Sequence, residues 1–304
     1  MKLCRPLFEI WKQSAGLEGV YKQIERVGRV CYKSEDKITE DSAKPFVDRM
    51  IKSGHGAMLE HGTVYLQYET VKSAINPLTK YYLNKYSKVK AIEGATKETM
   101  RLFVTTNLRV LVENGWLDDL QYICEPTEFH ERRITVHFVC DRGVSHEFVR
   151  HRVMSFAQES TRYCNYSKDK FGNELTFIKP CWLDIPTGQY VYWDGDWCDI
   201  NKMKIQLPEG EHKDIDAFLW TLNNAETHYT LLINSGWKPQ EARAVLPNSL
   251  KTELVVTGFV SDWEKFFRLR SRIAETGKPH PQAQELADPL MDEFVKRGIM
   301  ETLL

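Results

Sequence analysis

The chain has 304 residues, 42% of them hydrophobic and 27% charged, with a formal net charge of −1. That is the profile of a soluble globular protein long enough to bury a substantial core, and it excludes a chain dominated by disorder. Near-neutrality also removes any global attraction for a polyanion, so nucleic acid is not the expected partner and an anion site has to be local.

In chain order, Leu17, Val20, Tyr21, Ile24 and Val27 recur at helical spacing, and a second amphipathic stretch over 42–53 is closed by Gly54. Residues 63–69 have the aromatic and β-branched content of a strand, as do 132–140 (RRITVHFVC), 174–180 (ELTFIKP) and 253–259 (ELVVTGF). Between the first two lies a segment of about 70–131 that reads as an insertion, mainly helical through KETMRLFVTTNLRVLVENG. A second, loop-rich insertion over about 184–213 is full of turn residues and tryptophan. A helix over 216–234 carries the stripe Phe218, Leu219, Leu222, Ala225, Tyr229, Leu232, Ile233. Another over 262–272 follows Ser261 and Glu264, which have the spacing of a capping box, and a last helix covers 284–297. Strands and helices mix without regular alternation. The expectation is an α/β fold of the α+β type, a largely antiparallel central sheet flanked by helices, in a single domain over 1–304 with two inserted segments.

The seven cysteines, Cys4, Cys31, Cys124, Cys140, Cys164, Cys181 and Cys198, include no C-x-x-C pair, which argues against a disulfide framework or a zinc ribbon. The N-terminal MKLCRPLFEIWKQ lacks an apolar core of signal-peptide length, and no run of about 18 apolar residues occurs, so a cytoplasmic protein with no membrane partner is expected.

The densest chemistry lies in HEFVRHRVMSFAQESTRY, residues 146–163. His146 and His151 are five apart. On a helix that turns them about 140° from one another, so they do not chelate one metal as the four-apart pair of a zinc protease does. Arg150, His151 and Arg152 put three planar donors in a row, and Ser160, Arg162 and Tyr163 add hydroxyl, guanidinium and phenol. If 160–163 is extended, Ser160 and Arg162 share a face. A guanidinium fork beside a hydroxyl suits a phosphate monoester. A solvated face of scattered ion pairs meets the same residue types.

The order of the residues goes further. R-H-R, seven residues, then S-x-R-Y resembles the signature of the flavin-dependent thymidylate synthases. SGHGAMLEHGTVYL, EARAVLP (241–247), FFRLRSR and HPQAQEL (280–286) resemble further segments of that family in the same order. The resemblance implies reductive C5-methylation of dUMP to dTMP, with methylenetetrahydrofolate as carbon donor and NADPH-reduced FAD as hydride source, in a homotetramer with shared active sites. Arg270 would be catalytic, polarising the uracil ring. Glu147, Arg150, Gln158, Glu159, Ser160, Arg162, Arg243 and Arg270 would bind the nucleotide, the backbone about Glu159 joining Ser160 and Arg162 at the phosphate and Arg243 arriving from another subunit. His61, Thr63, Arg150, His151, Arg152 and Lys265 would border the flavin. The resemblance departs where the family's N-A-R segment aligns with Phe259, Val260 and Ser261, and a flavin-facing asparagine with Lys265. A related flavin enzyme acting on UMP, or a non-catalytic nucleotide- or RNA-binding homologue, would carry the same arginines.

Overall fold

The computed structural model describes residues 1–72, 79–168, 172, 174–208 and 213–303. Its strands are β1 (Lys2–Cys4), β2 (Leu7–Trp11), β3 (Thr63–Val71), β4 (Lys88–Glu93), β5 (Thr99–Asn107), β6 (Arg133–Asp141), β7 (Ser155–Gln158), β8 (Thr176–Ile178), β9 (Gly188–Gln189), β10 (Val191–Trp193), β11 (Asp196–Cys198) and β12 (Lys251–Phe259). Its helices are α1 (Gly16–Tyr32), α2 (Ala43–Lys52), α3 (Gly56–Leu59), α4 (Thr79–Tyr82), α5 (Leu108–Asn114), α6 (Arg142–Phe148), α7 (Lys213–Asn234), α8 (Pro239–Ala242), α9 (Val260–Arg270) and α10 (Pro281–Lys296).

The central sheet runs β2-β6-β12-β7 and is antiparallel throughout, with Arg133 opposite Phe259 and Asp141 opposite Lys251. Alternation along β6 sets its two faces. Val136, Phe138 and Cys140 join Phe148, Trp263, Phe266, Phe267, Leu286, Leu290 and Phe294 in one buried cluster, which packs α6, α9 and α10 on that face. Each such large side chain removed from water contributes about 1.5–3 kcal/mol. Arg133, Thr135 and His137 turn to the opposite face, toward α1 and α3, where Trp11, Val27, Val30, Ala157 and Val255 form a smaller core. The mixed fold with antiparallel sheets flanked by helices is the one the sequence predicts.

Two local expectations are corrected. The stretch expected as helix within 70–131 is mostly strand: β5 pairs with β3 over their full nine residues and with β4 on its other side, and only Leu108–Asn114 is helical. Thr99, Val104, Thr105 and Thr106 favour the pleated surface, and pairing with β3 overrides the helical spacing of the apolar residues. Asn107 then caps α5, its side chain accepting from the Val110 N–H at 3.2 Å. Second, Ser261 and Glu264 form no capping box. The turn from β12 into α9 is immediate, Phe259 is the N-cap, and Ser261 sits inside the first turn with its hydroxyl and its N–H (3.2 Å) both donating to Glu131. The segment over 184–213 holds, within its loops, the short strands β9, β10 and β11, with β10 and β11 paired as a hairpin and β9 on β1. Among the described residues, no helix is long and apolar enough to cross a membrane.

Candidate active site

Asp141 starts α6 by accepting from the Val144 N–H at 2.8 Å, and the helix ends at Phe148, so Arg150, His151 and Arg152 lie just past its C-terminus. Arg150 and Arg152 are exposed, and His151 is turned inward against the Phe266 ring, 4.9 Å away between centroids. The chain then enters β7, which β12 holds in register with Leu254 opposite Gln158.

Residues 160–163 form a turn, not the extended segment the sequence suggests. The N–H groups of Tyr163 and Cys164 donate to the Ser160 carbonyl at 3.2 and 2.9 Å. Ser160 and Arg162 are therefore brought together by the turn, the Arg162 N–H donating to Ser160 Oγ at 3.3 Å, and not by strand alternation. The backbone about Glu159 is not free for a phosphate: the Glu159 N–H donates to Glu253 O at 2.8 Å and the Ser160 N–H to Cys31 O at 3.0 Å. Gln158 also points inward, its amide donating to Ser145 Oγ at 2.9 Å and Thr252 Oγ1 at 3.2 Å.

Arg243 lies just after α8 and donates from Nη1 to Thr161 Oγ1 at 3.0 Å, within the same chain. Within this chain Arg243 therefore lies beside the 160–163 turn. Arg150, Arg152, Arg162 and Arg243 are all exposed. Among the described residues, arginine ion pairs involve Arg26, Arg29, Arg109, Arg268, Arg270, Arg272 and Arg297, and none of those four. In a nearly neutral chain, guanidiniums without carboxylates are a local positive field available to an anion.

Arg270 at the end of α9 is held differently. Its Nη1 pairs with the Glu147 carboxylate, Nη2 donates to the Glu147 carbonyl at 2.9 Å, and Nε donates to His151 Nε2 at 3.3 Å. A guanidinium has five N–H groups, so two remain for a ligand. Burial and then the Arg270 charge push the His151 pKa down to about 4, which keeps the imidazole neutral and able to accept from Arg270.

The expected flavin set separates. His61 is fully buried, with Nδ1 2.8 Å from Thr257 Oγ1, and Thr63 is tied to Gln13 and to buried Arg133. Lys265 is exposed and 3.6 Å from Asp262, while Phe259 is buried beneath the Arg133 guanidinium. His61 therefore does not border an open flavin site in this chain. Burial also opposes its charge. The fit to a flavin dinucleotide is confined to Arg150 and Arg152, whose unpaired guanidiniums suit a pyrophosphate. Thr63 lines a cleft of about 510 Å³, whose walls include Trp11, Gln13, Arg132 and Arg133.

His61 also predicts an acid weakness. Burial, then the neighbouring Arg133 charge, push its pKa down to about 3 from the ordinary 6.5, against a small opposing contribution from the Phe156 backbone. A depressed folded pKa gives stability that is fully present above pH 6.5 and lost as pH falls toward 3, at about 1.4 kcal/mol per pH unit. His151 adds to the loss between pH 6.5 and 4. Urea unfolding across this range should show the loss, with a shallower pH slope in His61→Gln. An unchanged slope in the variant would contradict the assignment.

Sequence reasoning missed the ionic group behind the 160–163 turn. Lys251 and Glu253 open an otherwise apolar strand, which was the available signal, but their partners Lys33 and Glu159 are distant in sequence.

A flavin-dependent thymidylate synthase of Pyrococcus furiosus is 28% identical over 168 residues, 54% of this chain and 55% of the relative. One from Corynebacterium aurimucosum is 22% identical over 264 residues, 86% of this chain and 72% of the relative. The chain spans about half the length of the Pyrococcus relatives it matches. A solved UMP/dUMP methylase, PolB from Streptomyces cacaoi bound with 5-Br UMP, aligns over 97% of this chain and 92% of its own at 15% identity and a TM-score of 0.44. The family model described as thymidylate synthase complementing protein matches residues 84–297, more than half of the chain, and the chain belongs to that family.

Proposed function

We propose that the protein methylates C5 of a pyrimidine nucleoside monophosphate, converting dUMP to dTMP with methylenetetrahydrofolate as carbon donor. The observation that carries this reading is Arg243 Nη1 3.0 Å from Thr161 Oγ1, on the same turn that bears Ser160 and Arg162, with no carboxylate paired to either arginine among the described residues. Two guanidiniums and the Ser160 hydroxyl match a phosphate monoester in charge and in donor count. Family membership and the flavin-dependent relatives support the rest.

Ring activation falls to Arg270. Electron density has to build at C5 and on O4 as the new bond forms, and a preorganised cation at that edge stabilises it without a covalent enzyme adduct. Glu147 and His151 fix the guanidinium plane and leave two N–H groups for the ring. A thiolate nucleophile has no support here. Burial pushes the thiol of Cys31 up to about 12 and that of Cys140 well above its usual value, and exposed Cys181 is also raised, first by its partial burial. Arg150 and Arg152 would hold a flavin by its phosphates. When bound and reduced by NADPH, the flavin supplies the hydride that completes the methyl group. Assembly as a homotetramer belongs to the same reading.

Equilibrium titration with dUMP, with inorganic phosphate as competitor, tests the phosphate site. Phosphate should lower the apparent dUMP affinity. Binding indifferent to phosphate would place the recognition elsewhere.

A further inference from the structure

Behind the 160–163 turn lies a buried ionic cluster that the proposed chemistry does not use. Glu159 is 2% exposed. Its Oε2 is 3.0 Å from Lys251 Nζ and 4.0 Å from Lys33 Nζ, and its Oε1 accepts from Tyr166 OH at 2.8 Å. Lys33 and Lys251 also both pair with Glu253, whose other oxygen is 2.9 Å from His137 Nε2. Burial alone would raise the Glu253 pKa and lower that of Lys251. At Glu253 the His137 hydrogen bond and then the lysine charges outweigh burial, and at Lys251 the two carboxylates do, so both stay ionised.

A cluster of this kind is a poor way to gain stability, because well-packed apolar residues of similar volume commonly do as well. Its placement points to another role. The turn is anchored to it twice at Glu159, through the side chain and through the N–H bonded to Glu253 O at 2.8 Å. The cost is visible at Lys33, which caps α1 with a φ of 48°, a left-handed conformation that glycine adopts most easily. A lysine stands there although glycine adopts this backbone more easily, and its ammonium pairs with Glu253 and lies 4.0 Å from Glu159.

We propose that Lys33, Lys251, Glu159 and Glu253 are positioning residues that hold the 160–163 turn in the shape that presents Ser160, Arg162 and Arg243 to one anion. This rests on the reading of that turn as the nucleotide phosphate site. None of the four need touch the ligand.

Lys33→Gly separates the roles, because it relieves the backbone while removing the ammonium. The variant should fold with an unchanged melting temperature or a higher one, and should lose about three- to thirty-fold in dUMP affinity, the range typical of residues acting through a network. Turnover at saturating nucleotide and flavin content should match wild type. The double variant Lys251→Met with Glu253→Leu replaces one lysine and one glutamate of the cluster by apolar volume and should behave likewise. If wild-type protein does not bind dUMP, the phosphate-site reading fails and this proposal falls with it. If wild type binds and a folded variant binds equally well, the positioning role alone is overturned. Loss of the fold in Lys33→Gly would make the cluster structural and overturn it too.

Discussion

Replacing Arg270 with lysine is expected to slow turnover about 10²–10³-fold, the usual cost of losing one preorganised donor at a developing charge. A lysine ammonium is a point charge and does not reproduce the planar fork that reaches the Glu147 carboxylate, the Glu147 carbonyl and His151 at once. The same contacts define a purely structural alternative, in which Arg270 only caps the C-terminal carbonyls of α6 and ties it to α9. That alternative predicts a lower melting temperature with near-normal turnover in the folded fraction. Single-turnover oxidation of the reduced enzyme by methylenetetrahydrofolate, with dUMP present, separates the two when read beside flavin content and thermal stability. A folded, flavin-loaded variant at the wild-type rate would remove Arg270 from the chemistry.

The second large effect is expected at the phosphate. A charge-assisted contact contributes about 1.5–3 kcal/mol, so Arg162→Ala should weaken dUMP binding at least roughly tenfold. Arg162 is exposed and, among the described residues, its guanidinium lies over Tyr163 alone, 5.4 Å from the ring centroid, so the fold should tolerate the change. Flavin content should also stay near wild type. Unchanged affinity in a dUMP titration would move the phosphate away from the turn.

Of the central sheet, β6 and β12 were visible in the sequence because they are dense in β-branched, aliphatic and aromatic residues, whereas the short strands β2 and β7 were not. The sequence hid β5 because KETMRLFVTTNLRVLVENG meets both helical and strand spacing, and the deciding contact is a partner strand more than thirty positions upstream in the pairing of Thr63 with Asn107. At the candidate site, the arginines were legible as residue types in order. Their relations were not. The turn at 160–163 has no glycine, proline or asparagine to announce it and is fixed by Cys31 O and by the buried Glu159. The burial of His61 follows from the closure of β3 and α3 over the central sheet, a tertiary property that no local pattern carries. The carboxylate on Arg270 was hidden for the same reason, since Glu147 reaches it across more than a hundred residues.

Methylation of a pyrimidine nucleotide at C5 is the step on which every role assigned above depends. It is measured by incubating the purified protein with FAD, NADPH, methylenetetrahydrofolate and either dUMP or UMP, then separating the nucleotides. The expected product is dTMP from dUMP, formed only when both the flavin and the folate are present. Protein that binds dUMP and flavin but yields no C5-methylated nucleotide from either substrate would overturn the assignment.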